Sequence, residues 1–270
     1  MHCPLFPHVA LAGIAALLML AAGCTTEPIT GRSRFLLTSA GDESSLGLQA
    51  WNDVLRKEPV SANRAHLDAV TRVGRNLAAA VNEPGFQWEF RVLASAEANA
   101  FCLPGGKVAV YEGLFKYVAN DAELAAVLGH EIAHAVARHG GERMTQAMGV
   151  DLGSQITDAY LAQKGVSATG REQWLLAYSG ITTVGVILPY SRTHEYSADQ
   201  IGLVYMARAG YDPRAAVTFW RKFGKGGKNL EILSTHPLDD KRLARLSQLL
   251  PKTEADYAAA PVKHGLGNPL

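Results

Sequence analysis

The sequence has few cysteines, no excess of charge of either sign and no apolar stretch suited to a membrane-spanning helix. Its 3 cysteines are too few for a framework of disulfide bonds. Lys and Arg number 26 against 25 for Asp and Glu, so the chain as a whole does not attract phosphate, and we expect no nucleic-acid partner. The 270 residues are 48% hydrophobic, which excludes global disorder and suffices for one large domain or two small ones.

An unbroken run of apolar or small residues lies near the N-terminus, from Leu11 to Ala22. As a helix it would span about 18 Å, which is too short for a bilayer core of about 30 Å but typical of a signal peptide. The run leads into AAGC, ending at Cys24, which resembles the bacterial lipobox although no Lys or Arg precedes the run. We therefore expect residues 1–23 to be a lipoprotein signal peptide and Cys24 to be lipidated. A plain secretory signal is the alternative.

The rest of the chain divides into a leader, a domain and a tail. Residues 24–40 are rich in turn-forming types and predict an extended leader between the anchor and the domain. The domain is predicted at 41–253 and a C-terminal tail at 254–270. Helical spacing of apolar residues over 42–57 and 62–81 predicts the first two helices.

Short segments that alternate or are apolar then predict strands: Gln87–Leu93, Asn99–Leu103 and Lys107–Tyr111. From Asn120 onward nearly every segment favours helix. We therefore predict one α+β domain that is mainly helical, with a small sheet. Residues Trp174–Ser191 carry no charge, but their polar side chains and a proline favour a core or cleft-covering helix over a membrane span.

Residues 120–140 (NDAELAAVLGHEIAHAVARHG) predict an amphipathic helix. Asn120 and Glu123 have the spacing of a capping box at its start. An apolar stripe that can be buried follows at Leu124, Leu128 and Ile132.

His130 and His134 lie four residues apart in this helix, so both imidazoles project from one face, one turn apart. Two neutral imidazoles in this arrangement suit one zinc ion, and Glu131 can reach a metal-bound water without binding the metal. This is the H-E-x-x-H pattern of zinc proteases. His139, nine residues after His130, is expected on the opposite face of the same helix, away from the metal.

A zinc hydrolase needs a third protein ligand and an open position for water. Glu195 and Asp199 lie four residues apart and would share a helical face. Glu195 is the candidate ligand, and Asp199 could accept a hydrogen bond from the second ring nitrogen of a ligand histidine. The alternative is a solvated acidic face, and His194 is a rival ligand.

Polar residues near the C-terminus offer a group that could stabilise an oxyanion. His236 or Arg242 could hydrogen-bond the oxyanion formed when hydroxide adds to a peptide carbonyl. Alternatively, Ser234 or Thr235 caps a helix that begins near Pro237. Both interpretations can hold at once.

The segments HEIAH, EYSAD and THPLDDKR, in this order, resemble the M48 metallopeptidases, and the segments TTEPITGRSRFLL and NAFCLPGGKVAVYEGL after Cys24 resemble a bacterial lipoprotein branch of that family. The resemblance covers about residues 24–250. It implies a gluzincin-like fold with a small sheet beside the active-site helix and one Zn²⁺ per chain. The residues that match the family's zinc ligands are His130, His134 and Glu195, and Glu131 matches its general base. Asp199 matches the family's acidic residue that hydrogen-bonds a ligand. His236 and Arg242 match its C-terminal His-Pro…Arg pair.

The resemblance also implies how substrate binds and where the protein acts. The family's substrate-binding edge strand is matched by Lys107, Val108, Ala109, Val110 and Tyr111, with which the backbone of an unfolded protein or peptide would pair. Thr25 after the lipidated cysteine predicts sorting to the outer membrane, facing the periplasm, with outer-membrane assembly machinery as a further partner. The expected activity is cleavage of unfolded or misassembled envelope proteins. The alternative is a zinc-bearing, chaperone-like module with little proteolysis.

Overall fold

The architecture is described for residues 24–182, 188–225 and 231–270 by a computed structural model. The predicted signal peptide at 1–23 and part of the segment 174–191 lie outside these ranges. The chain is α+β and mainly helical, as predicted, with a small sheet beside the helix that carries the H-E-x-x-H pattern. Within the described ranges, no helix combines the length and the apolar character needed to cross a bilayer.

The elements follow the predicted order of helices, strands and helices. The strands are β1 (Cys24–Thr26), β2 (Ser33–Phe35), β3 (Glu89–Leu93), β4 (Ala100–Leu103) and β5 (Lys107–Tyr111). The helices are α1 (Ala40–Lys57), α2 (Arg64–Val81), α3 (Asp121–Val136), α4 (His139–Gln163), α5 (Ala168–Thr182), α6 (Leu188–Arg208), α7 (Arg214–Lys225), α8 (Glu231–Thr235) and α9 (Asp240–Ala259). The two predicted N-terminal helices and the three predicted strands are confirmed.

The N-terminal segment is folded onto the domain, which corrects the expected extended leader. Strands β1 and β2 pair antiparallel, with Cys24 opposite Phe35, and form what we call the N-terminal hairpin, residues 24–35. Glu27, in the connection between the two strands, is only 3% exposed. Arg34 donates a hydrogen bond to the main-chain carbonyl oxygen of Ala137. The hairpin is docked because its charged side chains have their partners on the domain.

The sheet has the order β3-β5-β4, which corrects the expected edge strand. β5, residues Lys107–Tyr111, is the central strand, parallel to β3 and antiparallel to β4. Its middle residues Val108, Ala109 and Val110 are all fully buried. A strand covered on both faces is apolar without alternation, and that pattern is typical of a sheet interior. The strand with an open edge beside the metal centre is β4.

Helix α3 is buried on nearly all sides and crosses α6 closely. Its start is capped as predicted, because Oδ1 of Asn120 accepts a hydrogen bond from the amide of Glu123. A Cβ atom placed on Gly202 of α6 would lie 2.9 Å from the amide nitrogen of His130 in α3. Glycine at this crossing therefore lets the two helix backbones approach until their main chains nearly touch.

The C-terminal residues also belong to the domain, so the predicted boundary at residue 253 is too early. Helix α9 continues to Ala259. The chain then runs back to the start of α3, where the amide of Asp121 donates to the carbonyl oxygen of Asn268 at 2.9 Å. The amide of Ala122 donates to the carbonyl oxygen of Leu266 at 3.0 Å. These bonds satisfy amides that the first turn of any helix leaves without an intrahelical partner.

Candidate metal centre

The two histidines of α3 meet at their Nε2 atoms, as the four-residue spacing predicts. Nε2 of His130 lies 3.2 Å from Nε2 of His134. The helix holds both rings rigidly because it is packed on all sides, and His130 is only 1% exposed. Burial lowers the pKa of His134 well below its usual value, which keeps its imidazole neutral and its lone pair free to bind a metal.

Glu195 of α6 completes the group. Its Oε2 lies 3.3 Å from Nε2 of His130, and its Oε1 lies 3.3 Å from Nε2 of His134. Although burial raises the pKa of Glu195, hydrogen bonds with His130, His134 and His236 hold it well below its usual value. The carboxylate is therefore charged, and three donor atoms from two helices point at one position.

These residues fit zinc. Ligands that bind zinc tetrahedrally at about 2.0–2.1 Å are about 3.4 Å from one another, close to the separations found here. Two imidazole nitrogens and one carboxylate oxygen are also a donor set typical of catalytic zinc. The donor atoms of His130, His134 and Glu195, which the sequence analysis proposes as ligands, thus lie close enough together to hold one Zn²⁺.

Asp199 and Arg242 lie behind the ligands. Oδ1 of Asp199 lies 3.0 Å from Nδ1 of His130. Although burial lowers it, the carboxylates of Asp199 and Glu195 raise the pKa of His130 to about 9, and the same negative charge favours a bound cation. Asp199 thus stands where an acceptor for the second ring nitrogen was expected.

Arg242 has a different position from the one expected. It is 2% exposed and donates two hydrogen bonds to Asp199, from Nε to Oδ2 at 2.9 Å and from Nη2 to Oδ1 at 2.8 Å. Its Nη1 lies 2.9 Å from Oε2 of Glu195. Nη1 also donates to the carbonyl oxygen of Pro237 at 3.0 Å. With its guanidinium group engaged in this way, Arg242 positions ligands and is not placed to bind an oxyanion.

His236 lies beside the metal ligands. Its Nδ1 is 3.0 Å from Oε1 of Glu195 and 3.3 Å from Nε2 of His130, so it is a fourth donor atom in the same cluster. The nearby helix start predicted at Pro237 is wrong. Helix α8 ends at Thr235, and α9 begins only at Asp240, where the chain's next N-cap is Asp239.

Glu131 faces the cavity next to the histidines. Its side chain is buried, and no hydrogen bond reaches its Oε1 from the described residues. Nε2 of His236 lies 3.5 Å from this oxygen. Burial raises the pKa of Glu131, which is what a general base needs if it is to take up a proton and release it again. Its position matches the expected role.

A cavity of about 320 Å³ opens over these residues. One wall is β4 with its flanking residues 99–104, and the other includes Glu131 and His134 of α3. β5 pairs with one edge of β4, and in the described part of the chain no strand pairs with the other. Cys102 of β4 is not among the metal-binding groups, and burial raises the pKa of its thiol, so it stays neutral.

The prediction for His139 is wrong. Helix α3 ends at Val136, Arg138 adopts a left-handed conformation with φ of 57°, and a new helix begins at His139. This turn swings the His139 ring back to the metal centre, where its Nδ1 lies 2.9 Å from Nδ1 of His134. The glycines at 140 and 141 were the available signal that a continuous helix would not persist.

His139 belongs to a second buried group that the sequence analysis missed. Its Nε2 lies 2.9 Å from Oε1 of Glu27 in the N-terminal hairpin. His194, the rival ligand, is not at the metal centre, since its Nε2 lies 3.0 Å from Oε2 of Glu142 instead. Arg32 forms ion pairs with both Glu27 and Glu142. No spacing rule could have found this group because its members come from three distant parts of the chain.

Comparison with known proteins places the chain among metallopeptidases. The family model described as peptidase family M48 matches residues 65–250. The mitochondrial metalloendopeptidase OMA1 of Schizosaccharomyces pombe is 33% identical over 245 residues, which are 88% of this chain and 69% of that protein. The human mitochondrial metalloendopeptidase OMA1 is 33% identical over 244 residues, 84% of this chain and 46% of that protein.

A bacterial protein is also similar. The beta-barrel assembly-enhancing protease of Escherichia coli K12 is 29% identical over 242 residues, which are 84% of this chain and 48% of that protein. The chain thus spans about half the length of the human and E. coli relatives.

Proposed function

Because the chain belongs to peptidase family M48 and is a zinc-dependent metalloendopeptidase, we propose that it cleaves unfolded or misassembled proteins of the bacterial cell envelope. The observation that carries this proposal is the open edge of β4 beside Glu131 and His134. An extended substrate can pair with that edge through its main chain, which places a peptide bond in the cavity. Main-chain pairing ignores side-chain identity but requires an unfolded segment, so the preferred substrates are unfolded chains.

Each residue of the site has a defined part in hydrolysis. His130, His134 and Glu195 would hold zinc, which when bound lowers the pKa of an attacking water and polarises the scissile carbonyl. Glu131 takes the proton from the attacking water and delivers it to the leaving amine nitrogen. Asp199 orients His130, and Arg242 holds Asp199 and Glu195 in place.

The location proposed for the enzyme is the periplasmic face of the outer membrane, with a lipid on Cys24 as the anchor. The side chain of Cys24 is exposed at the start of β1, where acylation would meet no steric barrier. Anchoring by two or more acyl chains is stable because each buried methylene contributes about 0.8 kcal/mol. The similarity to a beta-barrel assembly-enhancing protease supports outer-membrane assembly machinery as a partner.

The alternative function is a zinc-bearing, chaperone-like module that binds outer-membrane proteins without cutting them. A module of that kind needs the metal and the open strand edge but has no use for a buried general base. Oε1 of Glu131, which accepts no hydrogen bond from the described residues and lies in the same cavity as the zinc ligands, favours the protease.

A digestion experiment separates the two functions. The full chain in detergent with zinc is incubated with an outer-membrane β-barrel protein, either unfolded or folded beforehand. We expect fragments from the unfolded form only, and none after addition of a chelator. Suppressed aggregation without fragments, equal for the wild type and Glu131→Gln, would instead establish the chaperone-like module.

A further inference from the structure

The N-terminal hairpin reaches the metal centre through one carboxylate. Glu27 has a fully buried side chain, although it lies only three residues after Cys24. Its Oε2 accepts hydrogen bonds from the hydroxyls of Thr30, at 2.6 Å, and Ser197. Its Oε1 faces Arg32 and Nε2 of His139. One carboxylate oxygen is therefore bound by Thr30 and Ser197, and the other is shared by Arg32 and the histidine.

His139 connects this carboxylate to a zinc ligand. Its Nε2 lies 2.9 Å from Oε1 of Glu27, and its Nδ1 lies 2.9 Å from Nδ1 of His134. Both ring nitrogens of His139 are thus engaged, one by the N-terminal hairpin and one by the ring that presents its Nε2 to the metal position.

The protons in this chain of contacts have only one consistent arrangement. A ligand histidine that gives the lone pair of Nε2 to zinc carries its proton on Nδ1. That Nδ1–H of His134 needs an acceptor, and Nδ1 of a neutral His139 supplies one. The proton of His139 then lies on Nε2, and it is donated to Oε1 of Glu27. Every donor in the series has an acceptor, and the series ends on a charged carboxylate that prefers to accept.

We propose that Glu27 and His139 are positioning residues for the zinc ligand His134, so that the N-terminal hairpin completes the metal site. The inference rests on the zinc site proposed above for catalysis. Each ligand histidine then has a hydrogen-bond acceptor for its Nδ1. For His130 the acceptor is Asp199, and for His134 it is His139, which is bound in turn to Glu27. Asp199 comes from the helix of Glu195, but Glu27 comes from the far end of the chain.

The same buried group does not form a second metal site. His139, Glu142 and His194 have ligand atoms close enough together to hold an ion. However, Arg32 already places a cation between the carboxylates of Glu27 and Glu142. The rings of His139 and His194 stack with centroids 4.3 Å apart. Both ring nitrogens of His139 and Nε2 of His194 already face polar neighbours. Arg32 therefore supplies the positive charge that the group requires.

Zinc affinity tests the proposal. The full chain in detergent is titrated with zinc against a chromophoric chelator, for the wild type, Glu27→Ala, Glu27→Gln and His139→Phe. Loss of an outer hydrogen-bond partner of a metal ligand weakens metal binding by about 10- to 100-fold. We expect that loss for Glu27→Ala and His139→Phe, and a smaller loss for Glu27→Gln, whose amide oxygen can still accept. Glu27→Gln keeps the packing of the hairpin, so its zinc affinity is compared with that of the wild type if the alanine variant does not fold.

Thr30→Val is the matched control because it removes a hydrogen bond to the other oxygen of the same carboxylate. It is expected to bind zinc as the wild type does. Cobalt(II) in place of zinc adds a second measurement, since its visible absorption reports ligand geometry, and we expect a changed spectrum for Glu27→Ala and His139→Phe but not for Thr30→Val. Wild-type affinity and an unchanged spectrum in Glu27→Ala and His139→Phe would overturn the proposal. A wild-type chain that binds no zinc would overturn the zinc site itself.

Discussion

Gly129 and Gly202 lie against each other where α3 crosses α6. A Cβ atom on Gly202 would lie 2.9 Å from the carbonyl carbon of Gly129, closer than real Cβ atoms approach a backbone. Gly129 directly precedes His130, and Gly202 lies two turns after Glu195 on the other helix. The contact between these glycines therefore sets the distance between the imidazole and the carboxylate that share the metal.

Gly202→Ala is expected to push the two helices apart. Overpacking of this kind costs about 1–3 kcal/mol of stability and would also weaken zinc binding, because Glu195 moves with its helix. Denaturant unfolding and zinc titration measure the two effects. Gly149→Ala in α4 is the control, since nothing lies within 4 Å of a Cβ there. An alanine at 202 with wild-type stability and zinc affinity would show that the helix crossing tolerates separation.

Glu131→Gln is expected to keep zinc and to lose cleavage. Glutamine has the size of glutamate but cannot take up the proton, and loss of a general base lowers the rate by about 10²- to 10⁴-fold. Metal content and hydrolysis of a fluorogenic peptide are measured on the same sample. Glu254→Gln, on an exposed residue of α9 that does not line the cavity, serves as the control. Substantial peptide hydrolysis by zinc-loaded Glu131→Gln would refute the assigned role.

Arg242→Leu is expected to destabilise the protein. The change leaves Asp199 and Glu195 buried without their cation, and breaking a buried ion pair by removing one partner costs about 3–5 kcal/mol. The free energy of unfolding is measured with and without zinc. Asp199→Asn in the same chain should recover part of the loss, because the unpaired charge is then removed. A stable Arg242→Leu variant with a reduced turnover rate alone would instead favour an oxyanion role.

His236→Ala is expected to weaken zinc binding yet to raise the turnover of the zinc-saturated enzyme on short peptides. The reason is that Nδ1 of His236 is a fourth donor beside the three ligands, and the ring also stands next to Glu131. Removing it opens the position that substrate needs. Zinc titration and peptide hydrolysis at saturating zinc check the two effects. A lower turnover would mean that His236 stabilises the transition state.

Removal of zinc is expected to lower thermal stability as well as activity. A ligand present at 100 times its dissociation constant stabilises a folded protein by about 2.7 kcal/mol. The melting temperature should fall on chelation and recover when zinc is returned. Glu195→Ala, which lacks a ligand, should show a smaller response to chelator than the wild type. An equal response in both chains would place the stabilising metal elsewhere.

The sequence predicted the metal centre better than its surroundings. His130, His134 and Glu195 follow helical spacing rules, and helices that are buried on most sides preserve those rules. The choice of Glu195 as third ligand rests on the family resemblance, because its distance from the histidines depends on the helix crossing at Gly129, which no spacing pattern predicts.

The predictions that the structure contradicts failed for physical reasons. The predicted position of His139 is wrong because α3 ends before it, next to a single left-handed residue, Arg138, and non-glycine residues adopt that conformation rarely. The edge strand was misassigned although the continuous burial of Val108–Val110 indicates a strand covered on both faces. The turn-rich composition around Glu27 predicts a linker because composition does not reveal that this carboxylate has partners in distant helices.

Two segments that lie far apart in the sequence contact the two ends of α3. The N-terminal hairpin contacts the turn after Val136, while Asn268 hydrogen-bonds the first turn at Asp121. Cleavage within either segment would therefore remove hydrogen bonds at one end of the helix that carries His130 and His134, although both segments are remote from the cavity in sequence.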